Sequence, residues 1–317
     1  MDYIIFDLEW NQSSHGESDR NDKMPFEIVE IGAVKLNSAR DMVGEFSKII
    51  KPQVYHEMHF ITSRLVHLQM EELQKGDTFP VVMKEFLEWC GEEPVFCTWG
   101  ALDLLELQRN MAYYDMEPLS DGPIKFYDIQ KLFSLAYEDG KSRKALEDAI
   151  DMMNIHKDIP FHRAFSDAYY TAKIFDKIED PDVLEKYSFD TFNVPKDKEH
   201  EVHIVFSSYD KYISRLFANR KELMNCKDVT QTVCYKCGRP IKKKLPWYTP
   251  NGKHYYAVSG CFRHGLMKSK IRVRKAEGGG VYAVKTDKYI NKEDYKKLLE
   301  KRDEIALQKK LNKEKQA

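Results

Sequence analysis

Cysteine is scarce. Six in 317 residues are too few for a disulfide scaffold, so a reducing, cytoplasmic setting is the expectation. Long apolar runs are missing too. None approaches the ~18–20 residues that a membrane span needs, and no membrane partner is expected. The start, Met1-Asp2-Tyr3-Ile4-Ile5-Phe6-Asp7, has no basic stretch ahead of its apolar residues, so no secretory leader is expected. No internal repeat is present. Core-forming material is plentiful: 42% of residues are apolar, with 17 Phe, 18 Tyr and 4 Trp. Wholesale disorder is excluded on that composition, and the length suits one large domain or two ordinary ones.

The net charge of −1 conceals an asymmetry. Residues 1–200 hold 22 Lys+Arg against 39 Asp+Glu, and residues 201–317 hold 28 against 12. That sorting points to two functional parts: an acidic half able to hold divalent cations and a basic half able to hold a polyanion.

Hydrophobic periodicity predicts strands over residues 3–10, 28–36 and 42–51. A helix over 79–90, a strand over 94–98 and a helix over 102–114 follow. A strand–helix pair spans 124–136, and two further helices span 142–152 and 163–178. Strands first, then alternation, gives an α/β domain with a mixed sheet over residues 1–180. Residues 181–228 are expected to be a linker carrying a short strand (202–206) and a helix (209–224). A basic module is expected over 229–290, with a hairpin turn at Gly278-Gly279-Gly280. Residues 291–317 read as a charged helical tail with a solvated face.

The first strand carries the sharpest signal. Asp7 and Glu9, two residues apart, project from the same face. Acids on a half-exposed strand are ordinarily just solvated, but Phe6 and Leu8 mark this strand as central. Buried carboxylates side by side repel unless a metal neutralises them. Asp103 follows a strand end and Gly100, in the first turn of a helix, where an acid is favoured by the helix dipole alone. His162 stands at a helix start, ahead of Asp167. Ala164, Ala168 and Ala172 form a small-residue face that lets this helix approach a sheet closely.

Taken together, Phe6-Asp7-Leu8-Glu9-Trp10, Thr98-Trp99-Gly100 before Asp103, and His162-Arg163-Ala164-Phe165-Ser166-Asp167-Ala168 resemble the DnaQ-like 3′–5′ exonucleases of the DEDD superfamily, histidine type. The Eri-type and KapD-type branch is the nearest in pattern. Glu27-Ile28-Val29-Glu30-Ile31-Gly32-Ala33-Val34 resembles that family's second strand. Trp10 departs from a common Thr, and Ala101-Leu102 departs from a common acid and aromatic. The resemblance implies a ribonuclease-H-like mixed sheet flanked by helices and hydrolysis by two Mg²⁺ or Mn²⁺ ions about 3.5–4 Å apart. It implies that Asp7 bridges both ions, that Glu9 and Asp167 complete one and that Asp103 holds the other. It also implies that His162 is the general base on the attacking water. The products it implies are nucleoside 5′-monophosphates from single-stranded 3′ ends, with RNA favoured over DNA.

Two C-x₂-[C/H]-G knuckles lie in the basic half: Cys234-Tyr235-Lys236-Cys237-Gly238 and Cys261-Phe262-Arg263-His264-Gly265. Three thiols and one imidazole suit a closed, structural Zn²⁺ site, which makes the C-terminal part a small zinc-stabilised module. Cys226 and His254 are the alternatives for the fourth ligand. Cys90 and Cys97 lie in apolar segments and are expected in the core.

Residues 229–275 hold 12 Lys+Arg and no acid. Lys242, Lys243, Lys244, Lys268, Lys270, Arg272 and Arg274 interleave with aromatics that include Trp247 and Tyr248. Cations hold phosphates and exposed aromatics stack unpaired bases, although a module this small also needs aromatics for its own core. The expectation is a 3′–5′ exonuclease tethered to a nucleic-acid-binding module. The rivals are a DNA proofreading or repair exonuclease, and a non-catalytic RNA-binding or ribosome-associated protein.

Overall fold

The strand with the paired acids is central, as its alternation requires. A computed structural model describes residues 2–65 and 68–314, in two units that divide at residue 192, with residues 121–123 grouped with the second. In the first unit, β1 (Asp2–Asn11), β2 (Glu27–Leu36), β3 (Met42–Ile49), β4 (Pro94–Thr98), β5 (Ile124–Asp128) and β6 (Ser188–Asp190) form one sheet of order β3-β2-β1-β4-β5-β6. β1, β2 and β3 run antiparallel, β1, β4 and β5 run parallel, and β6 returns antiparallel to β5.

The helices are α1 (Phe60–Leu65), α2 (Met70–Leu73), α3 (Phe79–Cys90), α4 (Leu102–Tyr113), α5 (Ile129–Tyr137), α6 (Leu146–Met152), α7 (Ala164–Asp176) and α8 (Pro181–Leu184). Ile4, Phe6 and Leu8 pack with Phe86 of α3 and with Leu104 and Leu107 of α4 on one side of the sheet. Ile5 and Val34 pack with Leu132 of α5, Ile150 of α6 and Ala168 of α7 on the other. This is the mixed α/β, ribonuclease-H-like sheet with helices. Cys90 and Cys97 are buried in it, 3% and 0% exposed.

α7 lies unusually close to β2. A Cβ placed on Gly32 would stand 1.9 Å from the Phe165 nitrogen and 2.1 Å from the Ala164 carbonyl carbon. Only hydrogen fits there. Ala164, Ala168 and Ala172 are buried, so small residues on the helix meet a glycine on the sheet.

The second unit contains β7 (Val202–Val205), β8 (Asp210–Ile213), α9 (Arg220–Asn225), α10 (Lys227–Thr230), β9 (Lys242–Tyr248), β10 (His254–Cys261), β11 (Gly265–Lys275), β12 (Val281–Ile290) and α11 (Lys292–Glu314). Its strands form an antiparallel sheet of order β7-β8-β12-β11-β10-β9.

Three expectations are corrected here. Residues 181–228 are not a linker: β6 extends the first sheet, and β7 and β8 belong to the second. The helix expected over 209–224 is β8 followed by the shorter α9, because β8 pairs with β12 over Asp210–Ile213. The basic module is broader than residues 229–290, since β7 and β8 complete its sheet. Among the described residues, no helix is long and apolar enough to cross a membrane.

Candidate active site and metal centres

Alternation along β1 turns Asp7 and Glu9 toward the same side, and α7 brings Asp167 to them. Carboxylate oxygens of Asp7, Glu9 and Asp167 lie within 4.8 Å of one another. The register explains the convergence, because Asp7 is paired with Gly32, the residue against which the start of α7 rests. Asp103 arrives from α4. Gly100, at φ 109°, turns the chain out of β4, and Asp103, 6% exposed, accepts hydrogen bonds from its own amide and from that of Leu8.

Burial and mutual repulsion push all four carboxyls upward. Asp7 is raised well above its ordinary value by burial, then by Asp103, Glu9 and Asp167. Glu9 rises to about 8, by burial and then by Asp167 and Glu30. Asp103 rises to about 7, chiefly by burial. Asp167 reaches about 6 by burial, although His162 and its amide draw it down. Asp167 Oδ1 is buried without a hydrogen-bond partner. An acceptor-rich set of hard oxygens with an orphaned carboxylate atom fits a divalent cation smaller than water. Mg²⁺ and Mn²⁺ meet that description.

His162 is exposed and lies two residues before the start of α7, with φ at 65°. Its amide donates to Asp167. The left-handed backbone, costly for a non-glycine residue, lets the chain present the imidazole and start the helix two residues later, at Ala164.

Two partners of this cluster were not singled out by sequence reasoning. Glu30, 0% exposed, is directly cross-strand from Glu9. Its carboxylate accepts Arg163 Nε at 3.0 Å and Nη2 at 2.7 Å, and the Ala164 amide at 3.3 Å. Arg163 thus neutralises a buried fifth acid, and Glu30 caps the first turn of α7. The motif strings contain both residues, but nothing in their spacing pairs positions 133 apart.

The second centre is built by two turns. Cys234, Cys237, Cys261 and His264 present ligand atoms within 4.8 Å of one another. Cys237 Sγ and Cys261 Sγ are 3.9 Å apart, and His264 Nδ1 is 3.3 Å from Cys234 Sγ and 3.6 Å from Cys261 Sγ. A tetrahedron with Zn–S bonds of ~2.3 Å has S···S edges of about 3.8 Å, so the cage is Zn²⁺-sized. Gly238 and Gly265, at φ 68° and 88°, close the two knuckles.

His264, rather than Cys226 or His254, joins the three thiols. Cys226 lies by Arg215 and Asp228, and His254 by Asn251. Tyr289, another residue missed in the sequence, has its hydroxyl 2.8 Å from Cys234 Sγ. Burial alone would raise the Cys234 thiol, but Tyr289 and Cys237 outweigh it and bring it to about 6. This favours the thiolate that a metal needs.

The basic residues do not all share one surface. Lys268, Lys270, Arg272 and Arg274 alternate along β11 with buried Met267, Ser269 and Ile271. Lys242 pairs with Gly260, and the Lys244 side chain lies over that glycine. Two of the expected contact residues lie on the other side of the sheet from the β11 row. Trp247 packs into the cluster of Phe217, Leu223, Val229 and Ile271 and donates to the Thr230 carbonyl at 3.0 Å, because the unit needs it as core. Lys243 pairs with Ser259 and so takes the side of the sheet away from the β11 cations, where it is exposed. Tyr248 donates to the Leu298 carbonyl of α11 at 3.3 Å.

The sequence profile of the exonuclease family of RNase T type matches residues 4–175. The rat protein 3′-5′ exoribonuclease 1 is 21% identical over 159 residues, which are 47% of this chain and 45% of the rat protein. The chain therefore spans about half the length of that relative. The nuclease domain of a DEDDh-family 3′ exonuclease bound to rAMP aligns with a TM-score of 0.48 at 18% identity, over 56% of this chain and 90% of that one. Exonuclease I of E. coli in complex with an oligonucleotide aligns with a TM-score of 0.46 at 11% identity, over 81% of this chain and 54% of that one.

Proposed function

The chain belongs to the RNase T exonuclease family, and from that premise we propose that it hydrolyses single-stranded nucleic acid from the 3′ end, RNA in preference to DNA, releasing nucleoside 5′-monophosphates. The observation that carries this reading is the convergence of Asp7, Glu9 and Asp167 within 4.8 Å beside buried Asp103. RNA is favoured because the rat relative is an exoribonuclease by name.

Asp7, Glu9, Asp103 and Asp167 would hold the Mg²⁺ or Mn²⁺ ions. When bound, these ions neutralise the carboxylates and stabilise charge on the attacking and leaving oxygens of a phosphodiester. Asp7, which feels Asp103, Glu9 and Asp167 together, would hold the centre of the set, and Asp167 would supply its unpartnered Oδ1. His162 accepts the proton of the attacking water on its imidazole. Its exposed position at the head of α7 keeps it in reach of solvent, and its amide ties it to Asp167. Arg163 and Glu30 keep the start of α7 fixed against β2, which holds His162 and Asp167 in register with β1. In the second unit Cys234, Cys237, Cys261 and His264 would hold one structural Zn²⁺, and the basic strands would bind the polynucleotide.

The test is a time course on 5′-labelled single-stranded RNA and DNA oligomers with Mg²⁺ or without divalent cation. A ladder shortening from the 3′ end, faster on RNA and absent in Asp7→Ala and Asp167→Ala proteins that keep their circular dichroism, is the expected result. Internal cuts, or full activity in either variant, would overturn the assignment.

A further inference from the structure

The second sheet has a face on which cations are crowded against one another. One face of β11 carries Lys268, Lys270, Arg272 and Arg274 in strict alternation, the two lysines half-buried and the two arginines exposed. Lys288 of β12 lies directly opposite Lys268, and Arg272 faces His254 of β10, whose imidazole is kept toward its neutral form by burial and then by Lys270 and Arg272. Like charges facing each other across a strand pair oppose folding. No acidic side chain among the described residues pairs with the four β11 cations. Burial, then Arg272 and Lys268, holds the Lys270 ammonium below its ordinary value. Burial and Arg274 do the same to Arg272. The sheet carries an electrostatic cost here that folding does not require.

Geometry narrows what offsets that cost. Alternate residues on an extended strand stand about 6.8 Å apart, comparable to the phosphate step of a stretched single strand of nucleic acid. The row is nearly straight, whereas each backbone of a duplex winds away from a straight line. Tyr256 lies directly across from Lys270, and its ring is 5.8 Å from that of Tyr248, so an aromatic pair borders the row. Such rings stack bases that are unpaired.

We propose that β11 tracks the backbone of one extended strand, with Lys268, Lys270, Arg272 and Arg274 each taking a successive phosphate and Tyr256 stacking a base beside them. This rests on the reading of the protein as a nuclease for single-stranded substrates and adds a site on the second unit that grips the strand.

The experiment uses the full zinc-loaded chain with Asp7→Ala, so that the probe is not consumed. Anisotropy of a 5′-fluorescein single-stranded RNA is measured as salt is raised, beside a blunt duplex of the same length. Each β11 cation replaced by alanine should lessen the slope of log K against log [salt] by about 0.7, and all four together by about 3. Lys243→Ala, at a position paired with Ser259 and so facing away from the β11 row, should leave it unchanged. The single strand should bind at least tenfold more tightly than the duplex. Because the substitutions relieve repulsion, melting temperature should hold or rise while binding falls, which a merely structural role would not produce. Equal binding of duplex, or a slope unmoved by the fourfold variant, would overturn the proposal. The fourfold variant with Asp7 intact is assayed in parallel on a trinucleotide. Its cleavage at the parental rate shows that the catalytic reading stands whichever way binding falls, whereas no cleavage by parent or variant would refute that reading separately.

Discussion

Gly32→Ala is the smallest change that tests how the two halves of the carboxylate cluster are held together. Its added methyl would sit 1.9 Å from the Phe165 nitrogen and 2.4 Å from the Phe165 Cα, and those are backbone atoms that no rotamer change can move. The start of α7 must retreat by roughly 1 Å to reach even a 3.0 Å contact. Asp167 lies two residues beyond Phe165 and moves with it, while Asp7, paired with Gly32 on β1, stays. Overpacking of this kind costs about 1–3 kcal/mol of stability, which a domain of this size survives. Misplacing a catalytic group by about 1 Å costs on the order of 100-fold in rate, or about 2.7 kcal/mol of transition-state stabilisation. The assay is kcat/KM on a single-stranded oligomer at saturating Mg²⁺, with a thermal melt of the same sample. Gly122→Ala, where an added Cβ meets nothing within 4 Å, is the control. A Gly32→Ala protein that stays folded and keeps activity within threefold of the parent would show that the closeness of α7 to β2 does not set the site.

The remaining predictions concern charge. Arg163→Ala leaves Glu30 buried and uncompensated. It should cost about 2 kcal/mol in urea titration, less than the ~3–5 of a fully enclosed pair, because the Arg163 side chain is 41% exposed; an unchanged midpoint would contradict the clamp. Glu9, Asp103 and Asp167 titrate near 8, 7 and 6 in the folded chain, above their unfolded values. Their contribution to stability is therefore complete below the ordinary carboxylate range and is lost as pH rises through 6 to 8. Without Mg²⁺ the melting temperature should fall across that window, and Mg²⁺ should restore it most at the alkaline end. A melt that ignores pH, or Mg²⁺ protection greatest under acid, would refute this. Tyr289→Phe removes the hydroxyl beside Cys234 and should weaken zinc binding by about tenfold, read by competition with a chromogenic chelator; parental affinity would show that the hydroxyl does not support the thiolate.

Local chemistry was legible in the sequence where it was confined to one element or one turn. Asp7 and Glu9 share a face because β1 alternates, and the Ala164-Ala168-Ala172 repeat announces a helix that packs closely. Each zinc knuckle is complete within five residues. Contacts made across the chain were hidden. Glu30 and Arg163 meet only after β2 and α7 are brought together, and Tyr289 reaches Cys234 from 55 residues away. β9 and β10 are hidden in the sequence because their lysines and tyrosines stand out as composition and show no clean alternation. Without register, composition cannot say which side of a strand a residue takes. That is why Trp247 and Lys243 were grouped with residues that lie on the opposite face.

Every open sheet ends in strands with unpaired amides and carbonyls, which invite a second copy to join edge to edge. In the second unit those ends are β7 and β9. β7 is only four residues long. β9 opens with Lys242-Lys243-Lys244 and contains Pro246, which cannot donate to a neighbouring strand and belongs at borders. The lysine triplet therefore has a duty apart from any ligand: it keeps a sheet rich in tyrosine and valine from templating its own aggregation.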